Sequence, residues 1–173
     1  MDNYLELLKY TLPSIVVFLT AYLLVRSLLT TAEKKNKQEQ YLNTMRMTLP
    51  IKLQAYERAI LFLERISPNS LIKRLHKKDM TVADLQSRMI AAINAEFEHN
   101  VSQQLYMSHQ AWQMVVKAKE NTIKLINTYA SQIKPDVSSI TLSKNILEAI
   151  IEMDQLPTNV AIEFLKKEVQ GIL

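Results

Sequence analysis

The chain has 173 residues, 48% of them hydrophobic, a net charge of +4 and no cysteine. Without cysteine there can be no disulfide, thiolate metal site, nucleophilic thiol or cysteine-linked lipid. A single glycine, Gly171, leaves no glycine-rich phosphate cradle and few positive-φ turns, which excludes the common nucleotide-binding loops and argues against a hairpin-rich β protein.

The N-terminal region is dominated by an apolar stretch from Tyr10 to Leu29, interrupted by one charge, Arg26. A helix of that length rises about 30 Å, the thickness of a bilayer's hydrocarbon core. Both faces of Ile15 to Val25 are apolar, which argues against a half-buried helix of a soluble protein. Asp2 and Glu6 stand against a lone Lys9 before the stretch, and Thr30 with Ala32 makes a poor cleavage site. Residues 1–30 are therefore expected to be a retained transmembrane anchor rather than a cleaved signal peptide. Pro13 is placed in the first turn or two of the helix, Tyr10 and Tyr22 at the interfaces, and Arg26 where it can snorkel to the headgroups. The basic residues past the anchor, Arg26, Lys34, Lys35, Lys37 and Arg46, put the C-terminal part in the cytoplasm by the positive-inside rule. Lys34, Lys35 and Lys37 are also placed to touch anionic lipid, although a topology signal is the plainer reading.

Residues 31–47 read as a solvated helical stalk continuing the anchor, with Glu33 and Lys37 in the favourable order. Thr48 offers an N-cap and Pro50 a first-turn proline for a helix from Leu49 to Ile66, its apolar stripe being Leu53, Tyr56, Ile60 and Leu63. Ser67–Ser70 ends it and starts a short basic helix, Leu71 to His76. Thr81 with Asp84 forms a capping box for a helix with the stripe Val82, Leu85, Met89, Ile93 and Phe97. Ser108 caps the next, whose inner face runs Trp112, Val115, Thr122, Ile123, Ile126 and Ala130, and Lys134–Asp136 closes it. Helices over residues 141–153 and 158–170 follow, separated by Leu156–Pro157. No stretch alternates with a period of two. The expected fold is all-α: one N-terminal transmembrane helix, then a soluble bundle of about five helices over residues 48–173.

Few constellations could carry chemistry. Glu96 and His99 have the local spacing of carboxylate-bridged metal bundles, and Glu57 and Glu64 could supply facing carboxylates. No second pair exists, because neither His76 nor His109 has an acidic residue three positions before it. Glu96, Glu98 and His99 read better as caps and ion pairs at a helix end. Glu57–Arg58 and Glu64–Arg65 recur at a heptad interval on one side of a helix, a pattern suited to a partner or to ion pairs within the bundle. The run Lys73, Arg74, His76, Lys77 and Lys78 reads as a solvated helix end or as contact with an anionic surface, the inner leaflet or an acidic partner. Interleaved aromatics that would favour nucleic acid are missing. Trp112 is most simply a core anchor and, if exposed, a partner-binding residue. The Asn100–Ser102 glycosylation sequon would go unread in a cytoplasmic domain. No serine is flanked by glycine, so a nucleophile elbow is absent.

Three segments carry a resemblance: Leu49–Arg58 (LPIKLQAYER), Leu63–Pro68 (LERISP) and Glu96–Tyr106 (EFEHNVSQQLY), together with Trp112. They resemble an uncharacterised family of short, N-terminally membrane-anchored helical proteins of the Bacteroidota. The resemblance covers roughly residues 1–130 and is most specific between Glu98 and Tyr106. It implies a bacterial inner-membrane setting and an anchored helical domain, with no activity, cofactor or site to carry over. The expectation is a non-enzymatic subunit or adaptor that binds a protein partner, or a second copy, at the cytoplasmic face. The alternative is a metal- or small-molecule-binding bundle using Glu57, Glu64, Glu96 and His99.

Overall fold

In a computed structural model, which describes the backbone of residues 2–172 and the side chains of residues 15–171, the protein is all-α with six α-helices. The chain divides into two compact units, Met1–Leu49 and Pro50–Leu173.

The first unit is a single stretch of helix, the N-terminal part of α1 (Asp2–Ile66, 65 residues). Every large apolar side chain from Ile15 to Leu29 is more than half exposed. The most apolar window of α1 has a mean hydropathy of 1.9 and none of it is buried, so α1 is one helix long and apolar enough to cross a membrane. Its polar continuation, Ala32 to Gln40, is helical and exposed throughout. α1 opens at Asp2, so Pro13 lies about three turns in, not in the first turn or two. The side chains of Asp2, Glu6, Lys9 and Tyr10 lie outside the described ones.

The expected helix start at Thr48–Pro50 does not occur. Residues 42–53 are helical without a break, and the Thr48 hydroxyl, far from capping, donates back to the Thr44 carbonyl at 2.9 Å. Pro50 thus sits in a helix interior, where it removes one backbone bond at a cost of about 3 kcal/mol. Pro50 is exposed, so water can reach the carbonyl it leaves unbonded. Continuing a formed helix is cheap beside nucleating a new one, and strong helix formers flank the proline.

The second unit starts with the last turns of α1. Ala55, Tyr56, Ala59, Phe62, Leu63 and Ile66 are buried, a face rotated slightly from the expected stripe, with Leu53 and Ile60 at its margin. Ser67 and Pro68 then turn the chain into α2 (Pro68–Leu75), with proline at the first position, where its missing N–H costs nothing. The link to α3 (Val82–Asn100) contains Asp79 at φ 68°, a left-handed conformation that Asp tolerates better than most residues. Thr81 and Asp84 form the expected capping box, with Asp84 N–H donating to Thr81 Oγ1 at 3.2 Å and Thr81 N–H to Asp84 Oδ2 at 3.1 Å.

A 3-10 turn (Val101–Tyr106) leads to α4 (His109–Ser131), capped by Ser108 as expected. α5 (Ser139–Glu152) and α6 (Pro157–Ile172) complete the unit. α4 packs on α3, α5 and α6, and α3 also meets α2 and α5. The starts of α3 and α5 are tied together by a short antiparallel bridge, in which Val82 N–H donates to Val137 O (2.8 Å) and Ser139 N–H to Met80 O (2.9 Å). One hydrophobic core joins Phe62, Leu63, Leu71, Leu85, Ile126, Leu142, Ile146 and Leu165 from all six helices.

Candidate functional site

The residues singled out on α1 within the second unit encircle one exposed side chain. Leu61 is 53% exposed although it lies on the segment that supplies much of the core. Residues three and four positions away on a helix are its surface neighbours. For Leu61 these are Glu57, Arg58, Glu64 and Arg65. The two glutamate–arginine pairs are therefore the rim of an apolar centre.

On one flank of Leu61, a groove of about 410 Å³ is lined by Arg58, Phe62, Arg65 and, from α3, Glu96, His99 and Asn100. Glu96 is the electrostatic pivot. Its Oε1 meets Arg65 Nε at 2.9 Å and Arg74 Nη1 at 3.6 Å, and its side chain is 19% exposed. Arg74 also donates to the Arg65 carbonyl at 3.4 Å. Glu96 thus pins α3 to both α1 and α2, with charge-assisted bonds shielded in part from water. Arg74, weighed as a contact for an anionic surface, forms an internal ion pair here with its side chain 36% exposed. Arg58, by contrast, has no ion-pair partner among the described residues. Its guanidinium is free to receive a carboxylate or phosphate.

Beneath this groove Phe97 stacks on Trp112, with centroids 5.5 Å apart at 26°, and meets Phe62 at 5.9 Å. Lys119 places its ammonium 4.1 Å from the Phe97 ring centroid. Trp112 is buried in the core. Its role as a core anchor follows, and the face it was expected to present to a partner if exposed is turned inward.

On the other flank, Glu57 borders an apolar groove of about 440 Å³ with Leu53, Tyr56, Ile60, Lys166 and Val169. Glu64 borders a third, of about 510 Å³, with Ile150, Met153 and Lys166. The four residues weighed as metal ligands are thus distributed over three grooves. Among the described residues no three His, Cys, Asp or Glu side chains are grouped to hold a metal ion. Nearby, Ser108 N–H donates to Tyr56 Oη at 3.3 Å. Burial pushes the Tyr56 phenol above its usual range, Glu168 adds to that, and the Ser108 bonds oppose it.

Lys73, Lys77 and Lys78 are exposed, and the last two line a cavity of about 720 Å³ with His76, Asp79 and Asp136. The two aspartates temper its positive charge. Lys34, Lys35 and Lys37 stand exposed on the first unit.

Sequence reasoning missed the exposed Leu61, the Lys119–Phe97 contact and an outward apolar strip on α5, Ile140, Leu147 and Ile151. The strip was visible as a helical i, i+7, i+11 spacing. The other two depend on which way packing rotates α1 and α4.

No curated protein and no solved structure matches the chain. A family model matches residues 2–172, beyond the roughly 130 residues of the resemblance and through the last two helices: the chain belongs to a family of unknown function, DUF7935.

Proposed function

We propose that the protein is a membrane-anchored, non-enzymatic subunit or adaptor that holds a partner protein at the cytoplasmic face of a bacterial inner membrane. The observation that carries this reading is the exposed Leu61 within its ring of Glu57, Arg58, Glu64 and Arg65. An apolar centre rimmed by charges of both signs is the anatomy of a protein–protein contact, where the centre contributes affinity and the rim contributes orientation. The unpaired Arg58 favours a partner that presents an acidic side chain beside an apolar one. The exposed apolar stretch Ile15–Leu29 supports the anchor, and the basic residues Arg26, Lys34, Lys35 and Lys37 support the cytoplasmic orientation.

The test is a mild-detergent pull-down from native membranes, comparing the wild type with Leu61→Glu and sizing the complexes. A stoichiometric protein that co-purifies with the wild type and is lost on Leu61→Glu, with the bundle still folded, supports the reading. Wild-type protein recovered alone refutes the adaptor, and a partner that survives Leu61→Glu moves the contact to another face.

A further inference from the structure

Between the apolar stretch and Pro50, α1 carries a second pattern that the anchor does not explain. Leu42, Met45 and Leu49 recur at spacings of three and four, and Leu42 and Met45 stand 45% and 42% exposed. In heptad terms Leu42 and Leu49 take the a position and Met45 the d position. Around the rest of this segment Asn36, Lys37, Gln40, Asn43 and Thr44 are polar, with only Met47 breaking the pattern.

The flanking positions say what fits the stripe. Lys34 falls at g and Glu39 at e of the next heptad, the positions that meet across a parallel two-stranded coiled coil. Neither forms an ion pair among the described residues. The next such pair is Tyr41 with Arg46, a guanidinium and an aromatic face. Charge complementarity thus occurs between two copies of this segment laid parallel and in register. An antiparallel pairing would set g against g and e against e, and the Lys34–Glu39 pair would be lost. Lys35 at a and Gln38 at d act as polar core residues, which fix register and a low oligomer state at a cost in stability.

We infer that residues 34–49 form a parallel, in-register coiled-coil dimer with the same segment of a second copy. The parallel direction rests on the anchored reading, because single spans of one orientation enter a shared membrane side by side. Three apolar layers are few for an isolated peptide, but tethering both chains to one bilayer raises their effective concentration.

The chain has no cysteine, so a single introduced cysteine is its only thiol. Oxidative cross-linking in native membranes, on the full chain, scores the face. Met45→Cys and Leu42→Cys should give disulfide-linked dimers, and Asn43→Cys and Met47→Cys, on other faces, at least tenfold less. Adding Lys34→Glu to Met45→Cys should lower the yield severalfold, and adding Glu39→Lys as well should restore it. Equal yields at all four positions, or none, overturn the inference. Carbonate extraction of the same membranes tests the anchor separately: release into the soluble fraction refutes the anchor, and the four variants then score the stripe on the soluble protein.

Discussion

From Ile15 to Leu29 the large apolar side chains of α1 are more than half exposed, whereas Tyr56, Phe62, Leu63 and Ile66, further along the same helix, are buried. Hydrophobicity alone does not separate the two regions. Periodicity does. In the second unit most apolar residues of α1 occupy one face, which α2 to α6 cover, with Ile51 and Leu61 left outside it. In the first unit they occupy every face, which no single neighbour can cover and a lipid phase can. One continuous helix therefore carries two kinds of surface, and each makes its own prediction.

The largest effect should come from charging the first region. Each arginine near the centre of a span costs about 2.5–3.5 kcal/mol of insertion free energy. The double variant Leu19→Arg, Leu23→Arg should shift the protein from the membrane pellet to the soluble fraction by more than tenfold. The unfolding midpoint of the bundle should stay in place. Loss of the bundle along with the anchor would mean that the two regions are not independent.

Next comes a matched pair of truncations on α1. Leu63→Ala removes a fully buried side chain and should cost about 2–5 kcal/mol in denaturant unfolding of the full chain in detergent. Leu23→Ala, the same chemistry on the exposed stretch, should change that transition by less than about 0.5 kcal/mol. Similar costs at both positions would break the contrast between them.

Local signals in the sequence were legible because their physics is local. Thr81 and Ser108 were identifiable as caps, since a side-chain oxygen needs only a backbone N–H three residues on. The Thr48–Pro50 start was misread for the same reason. Proline in a first turn and proline tolerated in a helix interior present the same dipeptide, and what decides between them is whether the helix already runs through. The rim of the candidate site, Glu57, Arg58, Glu64 and Arg65, was readable from its heptad interval, but its centre was not. Leu61 looked like one more apolar residue until packing put Phe62 and Leu63 inward and left it out. The partners of Glu96 lie on two other helices, at sequence distances no periodicity encodes.

Those partners define a third, smaller prediction. Glu96→Gln leaves Arg65 and Arg74 facing a neutral amide, and with Arg65 57% exposed the loss should be about 1–2 kcal/mol and should shrink as salt is added. A loss above about 3 kcal/mol would show that the ion pair is desolvated further than its exposure implies. In the pull-down, the same variant should loosen the Leu61 rim without removing its centre and so weaken capture less than Leu61→Glu does.

The smallest effect lies at the start of α3, away from the Leu61 site. Thr81→Ala removes the hydroxyl that accepts from Asp84 N–H, and loss of such a cap costs about 1 kcal/mol. The Thr81 hydroxyl and backbone N–H hold the Asp84 carboxyl below its usual range, with Arg88 adding to the effect. A carboxyl depressed in the folded state contributes stability that is complete above its unfolded pKa, about 3.9, and is lost as pH falls through the lower folded value. Asp84→Asn should therefore narrow its stability gap from the wild type as pH drops below about 4, and show a constant gap from pH 5 to 8. No gap at any pH would assign the cap to the Thr81 hydroxyl alone. Helix α3 would then be held at its start by one hydrogen bond rather than by the reciprocal pair.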